Sequence, residues 1–302
     1  MPPSESHRLD PETLNALLSA GSLRDSGMVT DFEMERIGAD YGFSGTVYRL
    51  HCRRSDGRPF TLVAKFESPA KVRRSVAFHT ANEGLLDGNV PGLFGWSAGN
   101  GDAEGVLILE DVHDAVQGDD LAGCSRDQAG AVIDIVARLH AGTRGAPTAR
   151  VELTGWAAPA LDVDRWRDRL GRAAARYPGS YTTAVVARLE ELPAEAADGL
   201  RRLADGPATW LHLDPHLDNV LFRRSGDAVL LDWSGASIAY PALDVAQLLV
   251  GYALRPRAAL TPDDLLDRYA TAVQGNNGDT ERVFVEAGSA LAMRRLIQGM
   301  VG

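Results

Sequence analysis

Apolar and polar positions change their spacing several times along the chain, and these changes define its elements. Residues 11–19 (PETLNALLS) follow Asp10, with Pro11 at the first helical position and Glu12 in the first turn, which predicts a short helix. Segments 29–37, 44–53 and 59–66 are short and rich in β-branched and aromatic residues. Ser55-Asp56-Gly57-Arg58 reads as the hairpin turn between the last two. Helical spacing returns over 70–87 through Val72, Val76, Ala77, Leu85 and Leu86, and strands 93–98 and 104–112 flank Gly99-Asn100-Gly101-Asp102. The first 112 residues are therefore expected to form a five-stranded antiparallel sheet with one inserted helix.

Beyond 112 the spacing is mainly helical, over 125–142, 162–175, 180–205, 240–254, 261–275 and 280–299. Three short apolar runs interrupt it: 209–213, 219–223 and 228–233, the last two joined by the turn Arg224-Ser225-Gly226-Asp227. The expected architecture is α+β with two lobes. Residues 1–112 make a β-rich lobe, and 113–302 a mainly helical lobe with a short β insert. A length of 302 residues suits that division.

Composition narrows the class. Hydrophobic residues make up 45% and charged residues 24%, as in ordinary globular chains rather than disordered ones. No run of 18 uncharged apolar residues occurs, and the opening MPPSESHRLDPETL lacks a basic-then-apolar leader, so a soluble cytoplasmic protein without a membrane partner is expected. The formal net charge of −10 argues against non-specific binding to nucleic acid, so any polyanion must be held by a local site. Cys52 and Cys124 lie far apart without metal-ligand spacing and are read as free thiols. Lys65 and Lys71 are the only two lysines among 31 basic residues. A chain that writes arginine almost everywhere keeps a lysine where a compact ammonium is needed.

The chemistry concentrates in residues 212–219, His-Leu-Asp-Pro-His-Leu-Asp-Asn. His212, Asp214 and Asn219 take the spacing H-x-D-x-x-x-x-N between two short strands, and thirteen residues further on Asp232 ends the apolar run Val229-Leu230-Leu231. A carboxylate and a carboxamide on such a loop, with a second carboxylate at a strand end, can offer hard oxygen ligands to Mg²⁺. One acid then remains for a hydroxyl proton.

The segments LHLDPHLDNVLF and LLDWSGASIAYPALDVAQLL resemble the catalytic core of the aminoglycoside phosphotransferase and choline kinase group, small-molecule kinases with a protein-kinase-like fold. Leu62-Val63-Ala64-Lys65, Val106-Leu107-Ile108-Leu109-Glu110-Asp111 and Ala137-Arg138-Leu139-His140-Ala141 extend the resemblance in the same order, over about 35–255. It implies that Asp214 is the catalytic aspartate, that Asn219 and Asp232 are Mg²⁺ ligands, and that Lys65 holds the nucleotide phosphates. Gly42, Ser44 and Gly45, in the turn between the first two strands, would approach phosphate oxygens through backbone amides. Glu110 and Val112 would bound the adenine with backbone groups. The implied reaction moves the γ-phosphoryl group of ATP or GTP to a hydroxyl of a small molecule, such as an aminoglycoside, choline or another metabolite. A peptide hydroxyl as acceptor and a catalytically silent nucleotide-binding scaffold are the alternatives.

Two positions depart from the group's pattern. Leu213 stands where the group usually has glycine between His and Asp, which is tolerable if the side chain packs inward. The helix glutamate that would pair with Lys65 falls near Ser75, where there is no acid, leaving Glu83 on a shifted register or a group the pattern does not identify. Asp244, twelve residues after Asp232, resembles an acid that braces the catalytic loop. His140 is read as a helix-end or packing residue, and His216 and Asp218 as loop packing or acceptor contacts. Trp156, Trp166 and Trp210 are read as core residues, Trp166 with the alternative of lining an acceptor pocket.

Overall fold

The computed structural model describes residues 9–19, 28–38, 46–99, 103–145, 163–179, 181–191, 208–239, 241–253 and 260–274. It divides into two compact units, Met1–Val116 with Val229–Ser234, and Gln117–Ala228 with Gly235–Gly302.

In the first unit, helix α1 (Pro11–Ser19) is capped by Asp10, whose Oδ1 accepts the Thr13 amide at 2.7 Å. Strands β1 (Val29–Ile37), β2 (Thr46–Arg54), β3 (Pro59–Glu67), β4 (Leu93–Ser97) and β5 (Gly105–Glu110) form the expected antiparallel sheet, in the order β1-β2-β3-β5-β4. Strand alternation sorts the side chains between its two faces. Leu62, Ala64 and Phe66 of β3 join Tyr48, Leu50 and Cys52 of β2 and Leu14 and Leu18 of α1 in one core cluster. Lys65 and Glu67 are set by the same alternation on the opposite face of β3. As the central strand, β3 is paired on both edges, with Lys65 opposite Val47 on β2 and Leu107 on β5.

Helix α2 (Pro69–Ala81) opens with proline at its first position. It ends earlier than the pattern over 70–87 predicts. The Asn82 backbone and side-chain amides both donate to the Phe78 carbonyl, and Gly84 at φ +80° turns the chain out of the helix. Segment 229–234 is held against α2: the Trp233 ring stacks on Phe78 at 3.6 Å with 6° between planes, and Arg74 Nε donates to the Ser234 carbonyl at 2.8 Å. The Leu230 amide donates to the Asn89 carbonyl at 2.8 Å. Asp232 thus shares a packed unit with Lys65, although the sequence separates them widely.

The second unit is built on helix α3 (Arg126–Gly142), whose start carries a capping box between Ser125 and Gln128. Val132, Ile133, Val136 and Leu139 are buried along it. Helix α4 (Val163–Arg176) follows, then helix α5 (Ala242–Leu248), which runs into a π-helical turn over Leu249–Ala253, and helix α6 (Pro262–Gln274). Arg268 of α6 holds Asp134 of α3 through two hydrogen bonds, of 2.9 and 2.6 Å. Residues 183–191 are also helical. The short strands are β6 (Ala115–Gln117), β7 (Thr209–Leu211), β8 (Val220–Arg223), β9 (Ala228–Leu230) and β10 (Ser237–Ala239). Strands β7 and β10 pair antiparallel. Among the described residues, no helix is long and apolar enough to cross a membrane.

Candidate active site

Two groups of polar side chains stand out, one in each unit. In the first unit, Lys65 points its ammonium at two carboxylates, Asp232 Oδ1 at 2.5 Å and Glu67 Oε1 at 3.2 Å. Burial works to raise the Asp232 carboxyl, but the Lys65 charge and hydrogen bond, helped by Ser234, outweigh it and hold the group down at about 2. The Ser234 amide also donates to Oδ1, at 3.2 Å, and the Ser234 side chain adds a hydrogen bond to the carboxylate. Asp232 is therefore an ionised acid that presents hard oxygens. Its backbone is left-handed, at φ +56°, a conformation that aspartate tolerates better than most residues.

In the second unit, the loop from His212 to Asn219 is fixed chiefly by its backbone. Asp244, fully buried on α5, accepts the His212 amide at 2.8 Å through Oδ2 and the Leu213 amide at 2.7 Å through Oδ1. Its Oδ2 also faces His140 Nε2 at 3.2 Å, and His140 Nδ1 meets the Tyr269 hydroxyl at 2.8 Å. Gln247 donates to the Leu213 carbonyl at 2.9 Å and Tyr252 to the Pro215 carbonyl at 2.9 Å. On the other side the loop is backed by residues 118–120. The Leu217 amide donates to Asp120 Oδ1 and the Asp120 amide to Asp218 Oδ1. The backbone of 118 lies so close that a Cβ on Gly118 would stand 2.5 Å from the Leu217 carbonyl oxygen.

Within this frame, the Asn219 amide nitrogen donates to the Asp214 carbonyl at 3.0 Å and lies 3.4 Å from Asp214 Oδ2 and 3.0 Å from His216 Nε2. These contacts use the nitrogen end of the carboxamide and leave its Oδ1 without a hydrogen bond among the described residues. His216 Nε2 lies 3.4 Å from Asp214 Oδ2. Burial lowers the His216 basicity, but Asp214, then Asp120 and Asp218, overcome that and raise it. Asp120, His216 and Asp218 bring ligand atoms within 4.8 Å of one another. Their carboxylates are already engaged with loop amides, so the trio reads as bracing for the loop.

Leu213 and Asp232 are the only described non-glycine residues with positive φ, and both lie among the candidate site residues. Such strain gathers where surrounding structure over-determines the backbone. Leu213, at φ +66°, does turn its side chain inward and is buried. Leu213→Gly should relieve about 1 kcal/mol of backbone strain and lose about 2 kcal/mol of apolar burial, so the melting temperature should fall by a few degrees. A melting curve at or above that of the unmodified protein would show that the leucine contributes nothing by packing.

The remaining expected residues fare differently. Gly42, Ser44 and Gly45 lie outside the described residues, as does Trp156. The Glu110 side chain accepts the Gly92 amide at 3.0 Å and its own amide donates to the Gly92 carbonyl, while Val112 is buried. Any nucleotide contact there falls to the backbone. Trp210 is buried, and Cys52 and Cys124 form no disulfide. Of the alternatives left open for the partner of Lys65, the described residues favour a group other than Glu83. The helix stops at Ala81, Glu83 is exposed in the following turn, and no ion pair joins it to Lys65. An acid that meets Lys65 is Glu67, two positions along the same strand. The signal was present, since a residue two positions along a strand shares its neighbour's face.

The profile of the phosphotransferase enzyme family matches residues 33–283. The chain belongs to that family. Comparison with curated protein sequences gives no match. Among solved structures, a candidate aminoglycoside phosphotransferase from Ralstonia eutropha JMP134 is similar with a TM-score of 0.59 at 16% identity, over 97% of this chain and 88% of that one. Spectinomycin phosphotransferase APH(9)-Ia, in complex with ADP and spectinomycin, has a TM-score of 0.55 at 12% identity, over 97% and 90% of the two chains. Choline kinase LicA from Streptococcus pneumoniae has a TM-score of 0.52 at 14% identity, over 90% and 86%. The fold of this phosphotransferase is accordingly the α+β, protein-kinase-like one that the sequence predicts.

Proposed function

We propose that the protein transfers the γ-phosphoryl group of ATP or GTP to a hydroxyl of a small molecule, with Asp214 as the catalytic aspartate. The observation that carries this reading is the His212–Asn219 loop of a phosphotransferase-family chain, where buried Asp244 fixes the backbone and Asp214 is left half-exposed. Phosphoryl transfer asks a protein mainly to position groups and to neutralise charge. A carboxylate held this way can orient an acceptor hydroxyl and take its proton. Lys65, on the central strand β3, would hold nucleotide phosphates as a point charge.

The donor set suits Mg²⁺, which prefers hard oxygens: Asp232 supplies an ionised carboxylate, and Asn219 an amide oxygen that carries no hydrogen bond among the described residues. These two residues would hold the ion, whose chemistry when bound is neutralisation of phosphate charge. The protein's own part is to keep Asp232 ionised and the Asn219 carboxamide turned the right way, and both are built into the hydrogen bonds above. Acceptors to try first are the classes named for the similar structures, aminoglycosides, spectinomycin and choline.

Isothermal calorimetry with Mg-ATP and Mg-GTP, followed by mass spectrometry of an acceptor panel for gain of one phosphoryl group, tests the proposal. Binding of at least one nucleotide and phosphorylation of a small hydroxyl compound are expected. Absence of nucleotide binding at millimolar concentration would overturn it, and phosphate appearing only on peptide hydroxyls would transfer the chemistry to a protein acceptor.

A further inference from the structure

Glu67 is an expensive residue for its position. Its side chain is fully buried at the end of β3, and Oε2 meets no hydrogen-bond donor among the described residues. Burial, the largest influence, pushes its carboxyl upward, as does the Asp232 charge, and only Lys65 and Lys71 oppose them. A buried carboxylate with one oxygen left without a donor is costly, and a leucine of similar size would avoid the cost. What Glu67 does have is two cations within reach. Both lysines of the chain converge on Oε1, Lys65 at 3.2 Å and Lys71, four residues on, at 3.7 Å. Lys65 is itself buried and shared with Asp232. No acid lies within α2 and Ser75 is buried there, so among the described residues Glu67 and Asp232 are the only acids that pair with Lys65.

We infer that Glu67 is the positioning residue for Lys65, the acid that keeps its ammonium aimed at the phosphate site when Asp232 turns to a metal ion. The inference rests on the phosphotransferase reading for the purpose of the pair, and on geometry alone for its existence. Lys65 and Glu67 sit two residues apart on one face of a strand paired on both edges, so the backbone sets their separation rather than a mobile helix. If Asp232 engages a metal, Lys65 loses a share of its counter-charge, and Glu67 alone then balances and orients it. Lys71, less buried, is the second cation that makes a buried glutamate tolerable at this place.

The two-lysine composition supplies a direct probe. Protein labelled with carbon-13 at lysine Cε gives two lysine signals, assigned with Lys71→Arg. The Lys65 signal should move on Glu67→Gln in nucleotide-free protein and move by a smaller amount on Glu67→Asp, which keeps the charge on a shorter side chain. Mg-ATP affinity, by calorimetry, should weaken roughly tenfold or more in Glu67→Gln and recover at least in part in Glu67→Asp. The double variant Glu67→Gln/Lys65→Ala should bind no more weakly than Lys65→Ala, because both changes disable one interaction.

An unmoved Lys65 signal with affinity within twofold of the unmodified protein would overturn the inference, as would effects that multiply in the double variant. Should Glu67→Gln fail to fold, Glu67→Asp decides. Its shorter side chain should weaken Mg-ATP binding and move the Lys65 signal together, and no change in either would overturn the inference. If the unmodified protein binds no Mg-nucleotide, the phosphotransferase reading falls. The Lys65 signal in nucleotide-free protein still decides whether Glu67 positions it.

Discussion

Asp214→Asn is expected to lower phosphoryl transfer roughly 10²-fold or more while leaving Mg-nucleotide affinity within about twofold. The split follows from where Asp214 sits. Its loop is held by contacts that do not need its charge: the His212 and Leu213 amides on Asp244, the Leu213 carbonyl on Gln247, and the Pro215 carbonyl on Tyr252. The Asn219 carboxamide donates mainly to the Asp214 backbone carbonyl, at 3.0 Å, and only weakly to Oδ2, at 3.4 Å. An asparagine of the same shape should therefore leave the loop and the proposed metal ligand Asn219 in place and remove only the proposed base. The measurements are turnover at saturating nucleotide and acceptor and a calorimetric Kd for Mg-ATP. An equal loss of both would move Asp214 from the chemistry to the support of the loop.

The parts of the fold and site that the sequence discloses are those encoded by contiguous residues. Five strands of the first unit and the helices α3, α4 and α6 follow from local period, and their bounds shift by only a few residues. The loop from His212 to Asn219 is legible for the same reason, because its spacing is local. Other features depend on tertiary context. Strand β10, Ser237–Ala239, is three residues long and gains its identity only from pairing with β7. The end of α2 at Ala81 turns on an asparagine competing for the Phe78 carbonyl, against an apolar pattern that continues to Leu86. The left-handed backbone of Leu213 is invisible in residue type, since leucine has no preference for it.

Glu67 is the most instructive omission. The family pattern looks for the acid on the helix, near Ser75, whereas strand period alone places Glu67 beside Lys65. What period cannot disclose is burial, and it is burial that turns an ordinary Lys-x-Glu into a coupled pair. Asp232 is a similar case at longer range. Its membership of the first unit arises from Trp233 stacking on Phe78 and from Arg74 holding the Ser234 carbonyl. These contacts cross more than 150 positions of sequence.

Asp232→Asn should remove most of the Mg²⁺-dependent turnover, by roughly 10²- to 10³-fold or more, because it deletes the charged member of the proposed ligand set. Asparagine is the right replacement. Asp232 lies at φ +56°, where asparagine is among the few residues that fit and where alanine would add about 1 kcal/mol of strain. The Ser234 amide can still donate to a carboxamide oxygen, so the turn beside Trp233 should persist. Lys65 loses its 2.5 Å partner but keeps Glu67, so the fold should survive with reduced stability.

Acid titration separates that loss from the catalytic one. The carboxyl is depressed to about 2 in the folded protein, so its contribution is complete above the ordinary carboxylate range and is lost as pH falls through the folded value. It amounts to about 2 kcal/mol at neutral pH. Melting temperatures of the two proteins should therefore differ at neutral pH and converge between about pH 4 and about pH 2. Raising Mg²⁺ should not restore turnover in the variant if Asp232 is a ligand. Near-normal rates at saturating Mg²⁺ would remove Asp232 from the metal site and leave it as the counter-ion of Lys65 alone.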